Sequence, residues 1–394
     1  MCYSIYLNQA FSYHYADTMQ MKFLLTWELG RGHGHQLQLE KLCSFLIARG
    51  HSSVIYSPDH TALTGESNAQ YPTSGLKSWA DLLLGSGFSD LEFTAAKLDK
   101  WRLIFQQEKP DAIIADHAPF ALIAAYGMQI PRIEFGSAFT IPSRGNPTGH
   151  FDNSLPPFNE DELISKINTL LAGRNWSALD SLDTLYACSM VRCATGIPLL
   201  DHYGPRKDIA YTGAFASGTG ISPTWRDQNK IKLFIYWRDG IGLEPFLLRL
   251  NPTQFEVNAY VPAGLMQTRW PAHWIISNKP WDLNAFIHQT KPDVALGYAS
   301  NAFTQWMAHL GIPQLMAPLQ REGLMQAARA QQLGLGLLCS HSNADDMVDK
   351  LRRLIASNEI QVKTRAFSEY SKSQWNSEPR FIALCELIEK KLKS

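Results

Sequence analysis

Residues 21–57, MKFLLTWELGRGHGHQLQLEKLCSFLIARGHSSVIYS, read as one strand, turn, helix and strand unit. KFLLTW is a short apolar run of the kind that a parallel sheet buries on both faces. Leu39, Leu42, Cys43 and Leu46 follow at helical spacing, Arg49 falls in the last turn, and Gly50 stands where a left-handed cap is wanted. SSVIYSP is the next strand. A strand, a crossing helix and a second strand predict an α/β fold: a parallel sheet covered by helices.

The unit recurs along the chain. DAIIAD (from Asp111), a helix through FALIAAYG and the strand IPRIEFG repeat it, and residues 143–159, SRGNPTGHFDNSLPPFN, form a long Gly-, Pro- and Asn-rich loop. Long loops in compact domains are usually functional or mobile, and this one is a candidate wall of an acceptor pocket. A second alternating series starts at KIKLFIYW and runs through FEVNAYV, HWIIS, DVALGY and IPQLMAP. Helices are expected around GLEPFLLRL, NAFTQWMAHLG, EGLMQAARAQQLG and ADDMVDKLRRLIAS. Composition shifts toward Gly, Ser and polar residues at 216–229, which places a domain boundary there. The expected organisation is therefore two Rossmann-like domains, 21–220 and 228–394, facing each other across a cleft. The amphipathic C-terminal helix RFIALCELIEKKL is counted with the second domain, although its pattern suits packing on either. Residues 1–20, which precede the first strand, read as an extension outside the fold.

A chain of 394 residues suits two cores better than one. Its 36 basic residues equal its 36 acidic ones, so there is no basic field of the kind that binds nucleic acid. No apolar stretch reaches the roughly 18 residues a spanning helix needs, and the start lacks the pattern of a secretory signal. A soluble, cytoplasmic protein is expected. The six cysteines are scattered, with no C-x-x-C pair or zinc-ligand spacing, and read as reduced thiols.

Within ELGRGHGHQLQLE (28–40), three chemistries compete. Gly30 and Gly32 begin a dinucleotide fingerprint, but its third glycine falls on His35. A phosphate loop would end in Gly-Lys-Ser/Thr, where this chain has His35 and Gln36. His33 and His35 lie two apart and do not share a helix face, which disfavours a metal pair. What remains is a histidine at the start of a helix, aimed at the carboxyl ends of the strands, with Gly32 and Gly34 letting a substrate approach the backbone. On the residues alone it either does chemistry there or merely caps and packs the helix.

The stretch TWELGRGHGHQLQLEKLCSFLIARGHSSVIYS resembles the opening of GT-B glycosyltransferases of family 1, the UDP-glucuronosyl, plant and macrolide type; Gly34-His35 and Arg49-Gly50-His51 carry the match. TWELG, ADHAP, LPPF, LDHYGPR and YTG resemble a bacterial branch, and GIPQLMAPLQREGLMQAARAQQLGLGL resembles the donor-side segment, so the likeness covers Met21 to about Cys339. It implies that His35 is a general base oriented by Asp116 in PDAIIADHAPF, His117 being a weaker rival for either role. An acceptor hydroxyl is too weak an acid to ionise alone, and a neutral imidazole held by a carboxylate can take its proton as the new bond forms. Such a base implies in-line displacement with inversion. Asp116 has a plainer reading as a cap of the next helix.

The donor half departs from the family. Where relatives have a histidine, glycines and a hydroxyl residue before G-V-P, this chain reads LGYASNAFTQWM: Tyr298 takes the histidine position, Ser300 and Ala302 the glycine positions, and Phe303 the hydroxyl position. Ser300 and Asn301 still promise an N-cap with free amides facing the cleft, and Phe303 threatens to narrow the phosphate seat. Glu322 matches the acidic residue that grips sugar hydroxyls, but Gly323 stands where its partner glutamine belongs. Arg238 lies where a loop of this fold passes the diphosphate. No Asp-x-Asp motif appears, and Asp345 and Asp346 read as first-turn helix acids, so no metal and no cofactor are expected.

The leading expectation is an inverting, metal-independent glycosyltransferase using a nucleotide-sugar donor and a small lipophilic or lipid-like hydroxyl acceptor. The alternatives are a catalytically silent relative that binds a glycan, nucleotide or protein, and another chemistry on the same architecture.

Overall fold

The structure is a computed structural model that describes residues 19–29, 33–56, 76–145, 147–151, 160–216, 220–238, 242–261 and 263–394. Most of the expected N-terminal extension, with Gly32 and part of the 143–159 loop, lies outside the described residues.

The first lobe runs β1 (Lys22–Trp27), α1 (His33–Ala48), β2 (Ser52–Tyr56), α2 (Trp79–Leu83), α3 (Leu91–Glu108), β3 (Ala112–Asp116), α4 (Pro119–Gly127), β4 (Arg132–Ser137), α5 (Asp161–Ala172), α6 (Leu182–Ala187), β5 (Val191–Thr195) and β6 (Ala210–Tyr211). The second runs β7 (Ile231–Tyr236), α7 (Leu243–Leu248), β8 (Phe255–Tyr260), β9 (Ile275–Ser277), β10 (Val294–Gly297), α8 (Asn301–Leu310), β11 (Gln314–Met316), α9 (Arg321–Gln332), β12 (Gly336–Leu338), α10 (Ala344–Ala356), α11 (Asn358–Gln374) and α12 (Ser377–Lys393). Each lobe holds a six-stranded parallel sheet, ordered β2-β1-β3-β4-β5-β6 and β12-β11-β10-β7-β8-β9.

The expected patterns account for these elements. β1 is buried almost throughout because helices cover both of its faces, as a parallel sheet requires. The helical stripe of Leu39, Leu42 and Leu46 is fully buried on the first sheet, each side chain contributing about 2 kcal/mol of transfer free energy. Asn343 caps α10, with Asp345 and Asp346 in its first turn as expected.

One expectation is corrected. The expected organisation counts the C-terminal helix with the second domain, but α12 crosses back to the first lobe. Phe381, Leu384, Cys385 and Ile388 pack in the core beneath β1, β4 and β5. This face of α12 meets the apolar stripe of α1, and a buried ion pair fixes its register. Arg49 grips Glu389 with Nε to Oε1 at 2.5 Å and Nη2 to Oε2 at 2.8 Å, and His51 Nε2 reaches Oε1 at 3.0 Å. His51 Nδ1 accepts the Met21 amide, so its proton sits on Nε2 and points at the carboxylate.

The lobes also meet directly. The segment after β5 lies against α8 and α9: Ile197 N donates to Gln305 Oε1 at 3.0 Å, Asn301 Nδ2 to Thr195 O at 3.2 Å, and Arg329 Nε to Leu199 O at 2.8 Å. Among the described residues no helix is long and apolar enough to cross a membrane.

Candidate active site between the lobes

In an open parallel sheet, ligands sit outside the carboxyl ends of the strands where the strand order reverses. In the first sheet that point lies between β1 and β3, whose final residues Trp27 and Asp116 are in register. α1 begins directly above it and carries His35 in its first turn. His35 Nδ1 lies 2.7 Å from Asp116 Oδ2. Asp116 is fully buried, and its other oxygen accepts Thr140 Oγ1 at 3.2 Å. Gly136 on β4 makes this possible, because a Cβ there would collide with the carboxylate and the threonine hydroxyl.

A carboxylate can only accept, so the neutral imidazole carries its proton on Nδ1 and keeps Nε2 bare. Burial by itself depresses the His35 pKa; the charge and hydrogen bond of Asp116, with help from Glu322, outweigh it and leave the pKa above the ordinary histidine value. Arg238, in the second lobe, opposes this rise, so charges from both lobes converge on one ring. Among the described residues, an added Cβ at Gly34 would meet nothing within 4 Å.

His117 takes another part. Its φ of 51° is left-handed, a conformation a non-glycine residue adopts at a cost of about 1 kcal/mol. The turn sends its ring against Trp79 (centroids 5.3 Å apart) and Phe139 (6.4 Å), 6.2 Å from His35. Burial, then the His35 charge, holds its pKa well below the usual value. With Phe151, which is 6.2 Å from Trp79, these rings form an apolar wall beside His35.

Sequence reasoning passed over Glu28, although it stands in the quoted WELG. Its carboxylate accepts Trp101 Nε1 and, at 2.8 Å, the amide of Phe120 in the first turn of α4, while the amides of Glu28 and Leu29 donate to the His117 carbonyl. Burial raises its pKa to about 7. Glu28 thus ties the exit of β1 to the turn that presents Asp116.

The second sheet repeats the arrangement. Its order reverses between β7 and β10, whose ends Tyr236 and Gly297 are in register. The following turn places Ala299 in the left-handed region at φ 59°, the counterpart of His117, and then starts α8 with Ser300 as N-cap. Arg238 and Ser300 stand near enough to the Tyr298 hydroxyl to influence it, and its ring lies 6.0 Å from Tyr236, which stacks on Tyr260 at 5.0 Å. Arg238, Tyr298, Ser300 and the first amides of α8 therefore come together at one strand-end crevice. Tyr236 and Tyr260 join them; two aromatic strand ends one sheet position apart were the available signal.

Three expectations for this half change. Phe303 does not narrow the crevice: it turns into the core, stacked on Tyr236 (5.6 Å) and Phe234 (6.2 Å). Asn301 does not face the crevice with its side chain, which donates to Thr195 in the first lobe and accepts from Gln305 Nε2. Ser300 is the N-cap by position, but its side chain accepts no capping hydrogen bond. Gly323 is a steric necessity, since a Cβ there would lie 2.7 Å from the Tyr298 carbonyl oxygen. Glu322 stands beside it at the start of α9 and reaches across to the first lobe, where Ser137 Oγ donates to Oε1 at 2.9 Å. Burial is the main reason its pKa is raised.

Several solved structures are similar to the chain. The calicheamicin glycosyltransferase CalG4 superposes with a TM-score of 0.68 at 15% identity, over 95% of this chain and 99% of that one. The glycosyltransferase VinC in complex with DTDP gives 0.66 at 16% identity, over 95% and 100%. The spinosyn rhamnosyltransferase SpnG complexed with spinosyn aglycone gives 0.65 at 16% identity, over 93% and 99%. The chain has the GT-B fold. No protein-family model and no curated protein sequence matches it.

Proposed function

We propose that the protein is an inverting, metal-independent glycosyltransferase that moves a sugar from a nucleoside diphosphate to a hydroxyl acceptor. The observation that carries this reading is the 2.7 Å contact of His35 Nδ1 with the buried Asp116 at the first switch point, opposite the Arg238 and Tyr298 cluster at the second. In the proposed reaction, Nε2 of His35 takes the proton of the acceptor hydroxyl while its oxygen attacks the anomeric carbon. The bond from that carbon to the diphosphate breaks on the opposite face, which inverts the configuration. Asp116 holds the tautomer and stabilises the imidazolium. The departing diphosphate gains negative charge, which Arg238, the Tyr298 hydroxyl and the free amides of α8 are suited to meet. The apolar wall of Trp79, Phe139 and Phe151 suits a small lipophilic or lipid-like acceptor. Among similar structures, one is complexed with a spinosyn aglycone and another with DTDP, which is consistent with both halves of the reading.

A second reading, a binding protein with a silent site, draws on Tyr298 and Gly323, which replace family donor contacts. The two are separated by incubating the protein with UDP- and TDP-hexoses and measuring release of free nucleotide. Turnover that His35→Ala lowers by about 100-fold supports the transferase. Nucleotide-sugar binding without turnover in the unaltered protein supports the silent site.

A further inference from the structure

The segment LDHYGPR (residues 200–206) is a clamp in which nearly every polar group is committed to holding the loop. Asp201 is fully buried and accepts the Tyr203 amide (2.8 Å), Arg206 Nε (3.0 Å) and the Tyr211 hydroxyl (2.7 Å). Arg206 also donates to the carbonyls of Ile141 (2.7 Å) and Ala138 (3.1 Å), and the Tyr203 hydroxyl donates to that of Phe139 (3.2 Å). His202 is the exception. Its side chain is wholly buried, yet neither ring nitrogen has a hydrogen-bond partner among the described residues. A buried imidazole left unpaired in this way costs about 1–3 kcal/mol, so the site calls for a partner from outside the protein.

The ring lies against Phe139, with centroids 5.8 Å apart, and Nε2 points toward Glu322, 3.9 Å from Oε1. That gap is too long for a hydrogen bond, but an oxygen seated beside it can bond to both atoms. Burial, reinforced by the Arg206 charge, lowers the His202 pKa to about 3, so the ring is neutral and offers one N–H and one bare nitrogen. A group that donates to one side and accepts from the other is a hydroxyl.

We propose that His202 and Glu322 form a two-sided seat for one hydroxyl of the donor sugar, His202 supplying from the first lobe the contact that Gly323 cannot supply from the second. This rests on the glycosyltransferase reading. A glutamine beside Glu322 is ruled out sterically by the Tyr298 carbonyl, and His202 is the polar group standing across from the same carboxylate. Ser137 holds Glu322 Oε1 in the present arrangement, so the sugar enters by replacing the Ser137 hydroxyl there. Because the seat is shared between the lobes, donor-sugar recognition is complete only when they are together.

The test is calorimetric binding of UDP, TDP, UDP-glucose and TDP-glucose to the unaltered protein, His202→Ala, His202→Gln, Glu322→Ala and the double variant His202→Ala/Glu322→Ala. The seat predicts that His202→Ala weakens binding of the sugar nucleotide about tenfold, while binding of the bare diphosphate is unchanged and reports an intact fold. His202→Gln, which keeps an N–H and an acceptor, regains part of the loss. The double variant loses no more than the worse single one. Unchanged sugar-nucleotide affinity in His202→Ala, or an equal loss for bare diphosphate in both His202 variants, overturns the seat alone. Absence of any nucleotide binding to the unaltered protein overturns the seat together with the glycosyltransferase reading.

Discussion

At the scale of single residues, the site is built by pairing each polar group with one that fixes its state. Asp116 fixes the tautomer of His35, Thr140 fixes Asp116, and Gly136 clears the space in which the three meet. The histidine and the aspartate were legible because each sits in a short local pattern, Gly-His at a helix start and an acid at a strand end. Thr140, Ser137 and His202 were not, because what gives them meaning is a neighbour far away in the chain, and no spacing in the sequence encodes that. Arg238 was legible only as a position; the structure adds its nearness to Tyr298 and the reach of its charge to His35. On the present reading Arg238→Ala weakens binding of UDP or TDP about tenfold in calorimetry, since a guanidinium on phosphate is a charge-assisted contact. Unchanged affinity removes Arg238 from the donor site.

At the scale of elements, the turn from β10 into α8 departs from the resembled motif in its letters but still starts a helix at the strand end. Tyr298 and Phe303 look in the sequence like damage to a phosphate motif, yet Phe303 fills the core under Tyr236 and the Tyr298 hydroxyl stays near Arg238 and Ser300. Side-chain direction in a first helical turn cannot be read from residue type, and that is where the sequence reading failed. The same turn explains Gly323. Gly323→Gln, which restores the family's letter, pushes against a backbone carbonyl rather than a flexible side chain. We expect it to lower stability by about 1–3 kcal/mol in chemical denaturation without improving sugar-nucleotide affinity; tighter binding at undiminished stability contradicts this account. The apolar strands and most helices of the second lobe stood out by periodicity. β5 did not, because Arg192 and Thr195 interrupt it and are satisfied by tertiary partners, Arg192 by Asp208 at 2.8 Å and Thr195 by Gln38 at 3.0 Å.

At the scale of the molecule, two sheets present their switch points to one cleft, and the chain crosses between lobes twice. The second crossing ends in α12, whose amphipathic pattern suited either lobe; the choice is made by Arg49 and His51, which meet Glu389. Glu389→Ala leaves a buried guanidinium without this carboxylate and is expected to cost about 3 kcal/mol or more in denaturation. Hydrogen bonding from Arg49 is the main cause of the depressed Glu389 pKa. The stability it contributes is therefore complete above the ordinary glutamate pKa of 4.5 and is lost as pH falls through the lower folded value. A Glu389→Ala variant as stable as the original protein at pH 7 contradicts the clamp.

In the proposed reaction His35 is a base whose protonation is set by its buried partner Asp116. The most direct measurement is the pH dependence of kcat/KM for nucleotide release from the preferred sugar nucleotide, compared between the unaltered protein and Asp116→Asn. His35 must be neutral to act, so the rate rises with pH through the His35 pKa, and Asp116 places that midpoint above the ordinary value of 6.5. Without the carboxylate charge, burial dominates: the account expects Asp116→Asn to move the midpoint to lower pH and to reduce the plateau by about 100-fold or more. A midpoint that stays in place in Asp116→Asn, or a plateau that survives the substitution, contradicts it.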